Sequence, residues 1–280
     1  MELRDQIQQA ADIVSQADAL FMTAGAGMGV DSGLPDFRGT SGFWRAYPAL
    51  KGYAFEEMAN PRWFSVDPYR AWGFYGHRLN LYRQIEPHQG FQLLRKWSEA
   101  CTQPSFIFTS NVDGQFQKAG FDEEMIMECH GSIHHLQESE DHGEIVSAHG
   151  IQIEVNEETL RALDPLPSHP DLKGTVRPNI LMFGDWGWNG DRTNRQERRL
   201  SHWSTLRQDD RVAVIEMGAG TTIPSVRYQS ESFVRYTPRA SLIRINPREA
   251  QIPSRLSPRG VSLSLGALEA LNLIDEVLQS

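Results

Sequence analysis

Four short segments of this 280-residue chain bring together side chains of the kinds that chemistry needs. Gly25, Ala26, Gly27 and Gly29 follow the apolar run 19–22. A buried strand followed by small residues is how a turn looks when it must lie close to a ligand. Ser110, Asn111 and Asp113 follow the run 106–108 and supply a hydroxyl, an amide and a carboxylate. Cys129, His130 and Gly131 follow the run 125–127, and a histidine of unperturbed pKa about 6.5 can take a proton near neutrality. Gly218, Ala219 and Gly220 follow the run 212–215. Each segment also has an ordinary structural reading. A Gly-Ala-Gly can simply reverse the chain, and any one of nine histidines can be a hydrogen-bonded structural residue. The first turn is not the dinucleotide fingerprint G-x-G-x-x-G. Val30 occupies the place of its third glycine, and no acidic residue follows a second strand about 20 positions on.

The elements that must position these segments read as an α/β protein. Leu3, Ile7, Ala10, Ala11 and Val14 trace one face of a first helix. The apolar runs, with 242–245 before Asn246 and a sixth candidate at 180–183, alternate with helical patterns such as 90–100 and 194–206. Such alternation predicts a mainly parallel, Rossmann-like sheet whose ligand crevice lies beyond the carboxyl ends of the strands. Residues 41–76 are aromatic and broken by prolines, and 134–176 are rich in histidine and acid. Both read as insertions that form a smaller module, leaving the sheet part to residues 1–40, 77–133 and 177–280.

Composition narrows the class of function. The chain carries 27 Lys and Arg against 36 Asp and Glu, a net charge of −9, which argues against a broad nucleic-acid-binding face. No uncharged apolar stretch approaches the roughly 18 residues that span a bilayer. The acidic first 20 residues do not read as a signal peptide, so the expectation is a cytoplasmic protein with no membrane contact. Two cysteines, Cys101 and Cys129, provide neither a disulfide framework nor a four-thiolate zinc site.

Residues 25–39, GAGMGVDSGLPDFRG, closely resemble the signature loop of the sirtuin family, the NAD-dependent protein deacylases. Residues 109–120, TSNVDGQFQKAG, are similar to that family's T-Q-N-I/V-D-x-L-H-x-x-A-G, and 128–131, ECHG, to the segment carrying its catalytic histidine. Residues 177–185, RPNILMFGD, resemble its R-P-x-I/V-V-x-F-G-E; Gly218-Ala219-Gly220 stands for G-T-S and Ile245-Asn246 for its I-N pair. The resemblance implies cleavage of the nicotinamide–ribose bond of NAD, with the acyl oxygen of a modified protein lysine capturing C1′. It implies that Gly25, Ala26 and Gly27, with Gly218, Ala219 and Gly220, approach the pyrophosphate. Asn246 would meet the adenosine ribose and Asn111 the other ribose, while Asp113 and the Val112 backbone would hold the carboxamide. Asp36 and Ser110 join the cofactor set; Phe37 would cover the reacting ring against water, and Arg38 would contact phosphate or order the loop. His130 would be the general base on a ribose hydroxyl, with Asn111 and Asp113 completing the catalytic set. Leu181 and Phe183 would line a tunnel for the lysine stem, although periodicity alone makes them core residues of a strand.

Tyr75 and Arg78 resemble the Y-x-x-R pattern of the sirtuins that remove succinyl, malonyl and glutaryl groups. A phenol and a guanidinium at i and i+3 share a helical face and can bind one carboxylate, though a packed Tyr beside an exposed Arg is the simpler reading. Departures from the family are equally plain. Residues 134–176 lack its two C-x-x-C pairs, and His134, His135, Glu138 and His142 match no zinc spacing, so a zinc-free module is expected. Ser110 replaces glutamine, Phe116 replaces histidine, and Ala219 and Gly220 replace Thr and Ser. Arg192, Arg195, Arg198 and Arg199 read as a solvated helix face, not a nucleic-acid contact. The expected activity is NAD-dependent lysine deacylation. NAD hydrolysis or ADP-ribosyl transfer at the same site is the alternative, and a non-catalytic NAD- or ADP-ribose-binding module comes third. Oligomeric state leaves no signal in these residues.

Overall fold

The computed structural model describes residues 2–35, 39–139 and 143–280. Its strands in chain order are β1 (Ala19–Ala24), β2 (Phe106–Thr109), β3 (Ile126–Glu128), β4 (Gly131–Glu138), β5 (Val146–Ser147), β6 (Val155–Asn156), β7 (Arg161–Ala162), β8 (Val176–Ile180), β9 (Val212–Met217), β10 (Ser241–Ile245) and β11 (Gly260–Leu263). Six of them form one parallel sheet in the order β11-β10-β9-β1-β2-β3. Every residue of β1 and β9 is buried, because helices cover both faces. On one face helices Leu3–Ser15, Gln89–Ala100 and Ala267–Leu278 pack around Leu20, Met22, Ile215 and Ile243. Opposite them, Asp191–Leu206 and Ser225–Tyr236 pack around Phe21, Phe106 and Val214. The first helix buries Ile7, Ala10, Ala11 and Val14 as its periodicity requires, while Leu3 at its start stays exposed.

One expected strand lies elsewhere. Residues 180–183 do not join the parallel sheet: β8 starts earlier, ends at Ile180 and pairs antiparallel with β4 in a separate three-stranded sheet. The sixth parallel strand is β11, an edge strand whose alternating burial and short apolar content give a weak signal.

A third apolar cluster gathers Phe43, Tyr47, Phe64, Trp72 and Phe74 with Ile133, Leu136, Ile153, Leu160 and Val176. Its spine is the helix Pro68–Gln84, started by Asp67, whose carboxylate accepts from the Arg70 N–H. This helix lies so close to the β6–β7 hairpin that a Cβ on Gly73 would fall 2.1 Å from the Leu160 carbonyl oxygen. Arg161 clamps Asp67 through two bonds of 2.8 and 2.9 Å. Buried amides tie the module to the following loop. Asn179 Nδ2 donates to Gln137 Oε1 at 2.9 Å and to the Asn189 carbonyl at 2.8 Å. Arg177 and Asp185 form a solvent-inaccessible ion pair at 2.8 Å. Among the described residues no helix is long and apolar enough to cross a membrane.

Candidate active site

The chain direction from β1 runs outward to β2 and β3, and from β9 outward to β10 and β11, so the crevice between β1 and β9 is the switch point of the sheet. The two glycine turns meet there. Gly25 N–H donates to the Met217 carbonyl at 3.0 Å and Gly27 N–H to the Gly218 carbonyl at 3.1 Å. Gly218 has φ +62°, and a Cβ on it would lie 2.4 Å from backbone atoms of Gly27 and Met28. Both conditions admit only glycine. Gly218→Ala is therefore expected to cost about 2–4 kcal/mol of stability. Chemical unfolding measures this, and an unchanged midpoint would contradict the contact.

Beyond these turns opens a cavity of about 1100 Å³. Its lining contains Gly25, Ala26, Ser110, Asn111, Val112, Asp113, His130, Gly218, Ala219 and Gly220, which come from the ends of β1, β2, β3 and β9. Tyr75 and Arg78 of the helix Pro68–Gln84, and Leu181 and Phe183 just past β8, also line it. Gly27 and Asn246 stand outside the lining. Asn246 is buried behind the wall; its Nδ2 donates to the Ala219 carbonyl at 2.8 Å, and its Oδ1 accepts the N–H groups of Arg248 and Glu249. Asp36, Phe37, Arg38 and His142 lie outside the described residues.

Local bonds fix the reacting groups. Thr109 Oγ1 accepts the Asn111 N–H at 3.0 Å, and Asn111 Nδ2 donates to the Gly25 carbonyl at 3.1 Å. The amide thus ties the β2 turn to the β1 turn. Asp113 Oδ1 accepts the Gln115 N–H at 2.9 Å, yet burial still pushes its carboxyl up to about 6, with nearby Glu128 adding to the rise. His130 sits on the tight turn from β3 into β4. Gly131 makes that turn possible at φ +76°, where a Cβ would lie 2.1 Å from the Asn179 carbonyl oxygen. Burial holds His130 below the ordinary histidine value, against a hydrogen bond to the Ser110 backbone that favours its protonated form.

The Arg78 guanidinium is buried, not exposed, within 5.3 to 5.6 Å of the ring centres of Phe74, Tyr75 and Tyr82. Its Nε donates to Tyr82 Oη at 3.1 Å. Tyr82, which also lines the cavity, shares a helical face with Tyr75 at i+7, the sequence signal for its place here. The lining residues Phe55, Trp186, Arg248 and Glu249 had no such signal, because their elements are distant in sequence. Phe116 packs into the core against Phe91 and Phe121, away from the cavity. In the basic helix, Arg192 is buried against Glu128 and Glu123, and Arg199 pairs with Glu124.

The cavity carries features that suit a dinucleotide. Ala26 opens a short 3-10 turn in which the Gly27 and Met28 N–H groups are taken by the Gly218 and Gly25 carbonyls, which leaves the Ala26 N–H to meet an anion that the neighbouring glycines let approach. A Cβ at Gly220 would meet nothing within 4 Å, so that wall has room for a ligand.

Comparison with known proteins points the same way. The Sir2 family model matches residues 25–202. An "NAD-dependent protein deacylase" of Aquifex aeolicus is 28% identical over 233 residues, 81% of this chain and 83% of that one. An "NAD-dependent protein deacetylase" of Saccharolobus solfataricus is 29% identical, covering 63% of this chain and 64% of its own length. An "NAD-dependent protein deacylase 2" of Pyrobaculum aerophilum is 33% identical, with 62% of each chain covered. Among solved structures, a Sir2 homologue–NAD complex superposes with a TM-score of 0.69 at 23% identity, over 97% of this chain and 94% of that one. A Sir2 homologue mutant bound to 2′-O-acetyl ADP ribose gives 0.68 at 22% identity, over 97% and 96%. Identity at that level speaks for the fold.

Proposed function

The chain belongs to the Sir2 family, and from that premise we propose that it is an NAD-dependent protein lysine deacylase working in the β1–β9 crevice. One observation carries the reading: Asn111, Asp113 and His130 face a single cavity that also contains the paired glycine turns. When bound, NAD supplies a nicotinamide–ribose bond whose cleavage opens C1′ to the acyl oxygen of the modified lysine.

The chain's own residues do the rest. The Ala26 backbone and the open wall at Gly220 would take the pyrophosphate. Asn111, fastened to the Gly25 carbonyl, would orient the nicotinamide-side ribose, and Asp113 would accept from the carboxamide. His130, neutral near pH 7, would accept the proton of a ribose hydroxyl. Phe37 would shield the reacting centre from water. Asn246 acts on the adenosine side by fixing the Ala219 and Arg248–Glu249 backbone. Leu181 and Phe183 form part of the cavity wall available to the lysine stem. We divide the chain into the parallel-sheet part and the cysteine-free aromatic module, and the cysteine-poor composition supports a cytoplasmic setting.

The acyl group we assign is a carboxylate-bearing one such as succinyl, because Arg78 and Tyr75, a guanidinium and a phenol, line the same cavity as Asn111, Asp113 and His130. Nicotinamide release from NAD is measured with no peptide, with acetyl-lysine peptide and with succinyl-lysine peptide. Peptide-dependent release is expected, with succinyl turnover falling at least tenfold in Arg78→Met and acetyl turnover little changed. Acetyl preference that persists in the variant would remove the carboxylate assignment. Equal release without any peptide would move the activity to NAD hydrolysis.

A further inference from the structure

His134 lies on β4, four residues past His130, and no family motif quoted above includes it. Its Nε2 is 2.9 Å from the Asp113 carbonyl oxygen. A carbonyl only accepts, so Nε2 carries the proton. One residue before it, Ile133 N–H donates to the Val112 carbonyl at 3.0 Å. The β4 strand therefore grips the 110–113 turn twice, at consecutive carbonyls. The ring also packs directly on the next residue, since a Cβ on Gly114 would lie 2.7 Å from His134 Cδ2. The strand's far side is held in turn, because the His134 carbonyl accepts the Ala148 N–H at 2.8 Å.

We propose that His134 is a positioning residue for NAD cleavage: it aims the Asp113 carboxylate by holding the Asp113 carbonyl. The proposal rests on the reading of Asp113 as the group that accepts from the carboxamide. The Gln115 N–H bond to Oδ1 restrains the Asp113 side chain relative to its own backbone. Nothing in that bond fixes the backbone relative to the cavity, and the His134 and Ile133 bonds do. Removing the Nε2 donor frees the peptide plane after Asp113, and the carboxylate swings with it. Burial, with Arg83 and Arg192 nearby, holds the His134 ring below the ordinary histidine value, against the Asp113 carbonyl and Glu128.

The test separates positioning from general support. His134→Phe keeps a ring and removes the donor, whereas His134→Gln restores an N–H of similar reach. For His134→Phe, kcat/KM for NAD should fall about tenfold, the scale of one buried hydrogen bond, and nicotinamide inhibition should weaken in parallel. KM for the acyl peptide should stay within about twofold, and His134→Gln should recover most of the loss. If His134→Phe fails to fold, His134→Asn, whose amide falls short of the carbonyl, is judged on the same split. Unchanged NAD kinetics and nicotinamide inhibition, or equal losses toward NAD and peptide, would overturn the proposal. An Asp113→Asn enzyme with wild-type NAD kinetics would instead overturn the underlying reading of Asp113. An inert Asp113→Asn beside an unaffected His134→Phe would reject the positioning role alone.

Discussion

Asp113→Asn is expected to raise the melting temperature at pH 8 while removing most nicotinamide release from NAD. The carboxyl is buried, and burial pushes its pKa from the ordinary aspartate range up to about 6. The folded protein thus binds this proton more tightly than the unfolded chain does. Stability falls as pH rises from about 4 to about 6, and the full cost remains above that. At 1.36 kcal/mol per unit, a shift of this size corresponds to about 1–3 kcal/mol of strain at pH 8. Asparagine keeps an oxygen for the Gln115 N–H but carries no charge. Its gain should amount to about 2–4 °C for each kcal/mol in a domain near this size, and should vanish at pH 4. Calorimetry at both pH values measures the difference. A variant no more stable at pH 8 than at pH 4, relative to wild type, would show that burial does not strain this group. Asparagine also offers one acceptor oxygen and an unwanted donor to the carboxamide, so NAD cleavage should drop by two orders of magnitude or more.

His130→Ala should lower acyl-peptide turnover by about 10²- to 10⁴-fold, the usual range for a lost general base, with little effect on the unfolding midpoint. The pH dependence adds a sharper check. Burial depresses the His130 pKa, so the neutral base persists below the ordinary value of 6.5. Asp113 ionises at about 6. Both groups are in their working forms at pH 7, and kcat/KM for NAD should fall only as pH drops below about 6. Both groups line the cavity, so both ionisations contribute to the acid limb. Rates measured from pH 5 to 8.5 decide this: an acid limb centred above pH 7 would rule out a desolvated His130 as the base. Calorimetric NAD binding that survives in His130→Ala would locate the loss in proton transfer.

Much of this architecture was legible because it is local. A continuous apolar run ending in Gly-Ala-Gly, Thr-Ser-Asn-Val-Asp or Cys-His-Gly specifies both a buried parallel strand and the turn at its carboxyl end. Five of the six parallel strands were readable in this way. The exception, Gly260–Leu263, is an edge strand whose identity depends on its neighbour Ser241–Ile245. Likewise, the run at 180–183 is apolar because it serves the aromatic module and the cavity wall, and periodicity cannot say which sheet a run joins.

What only the tertiary structure decided is where polar groups spend their hydrogen bonds and how dry they are. The N–H groups of Gly25 and Gly27 are taken by Met217 and Gly218, and the Asn246 side chain is taken by Ala219, Arg248 and Glu249. Arg78 is enclosed by three aromatic rings, although its helix could equally have turned it to solvent. The raised Asp113 carboxyl and the His134 grip on its carbonyl depend on elements packed from elsewhere in the chain. Residue types determined which chemistry was available. Desolvation and hydrogen-bond partners are properties of non-local packing, and they determined which of those groups stand free to perform it.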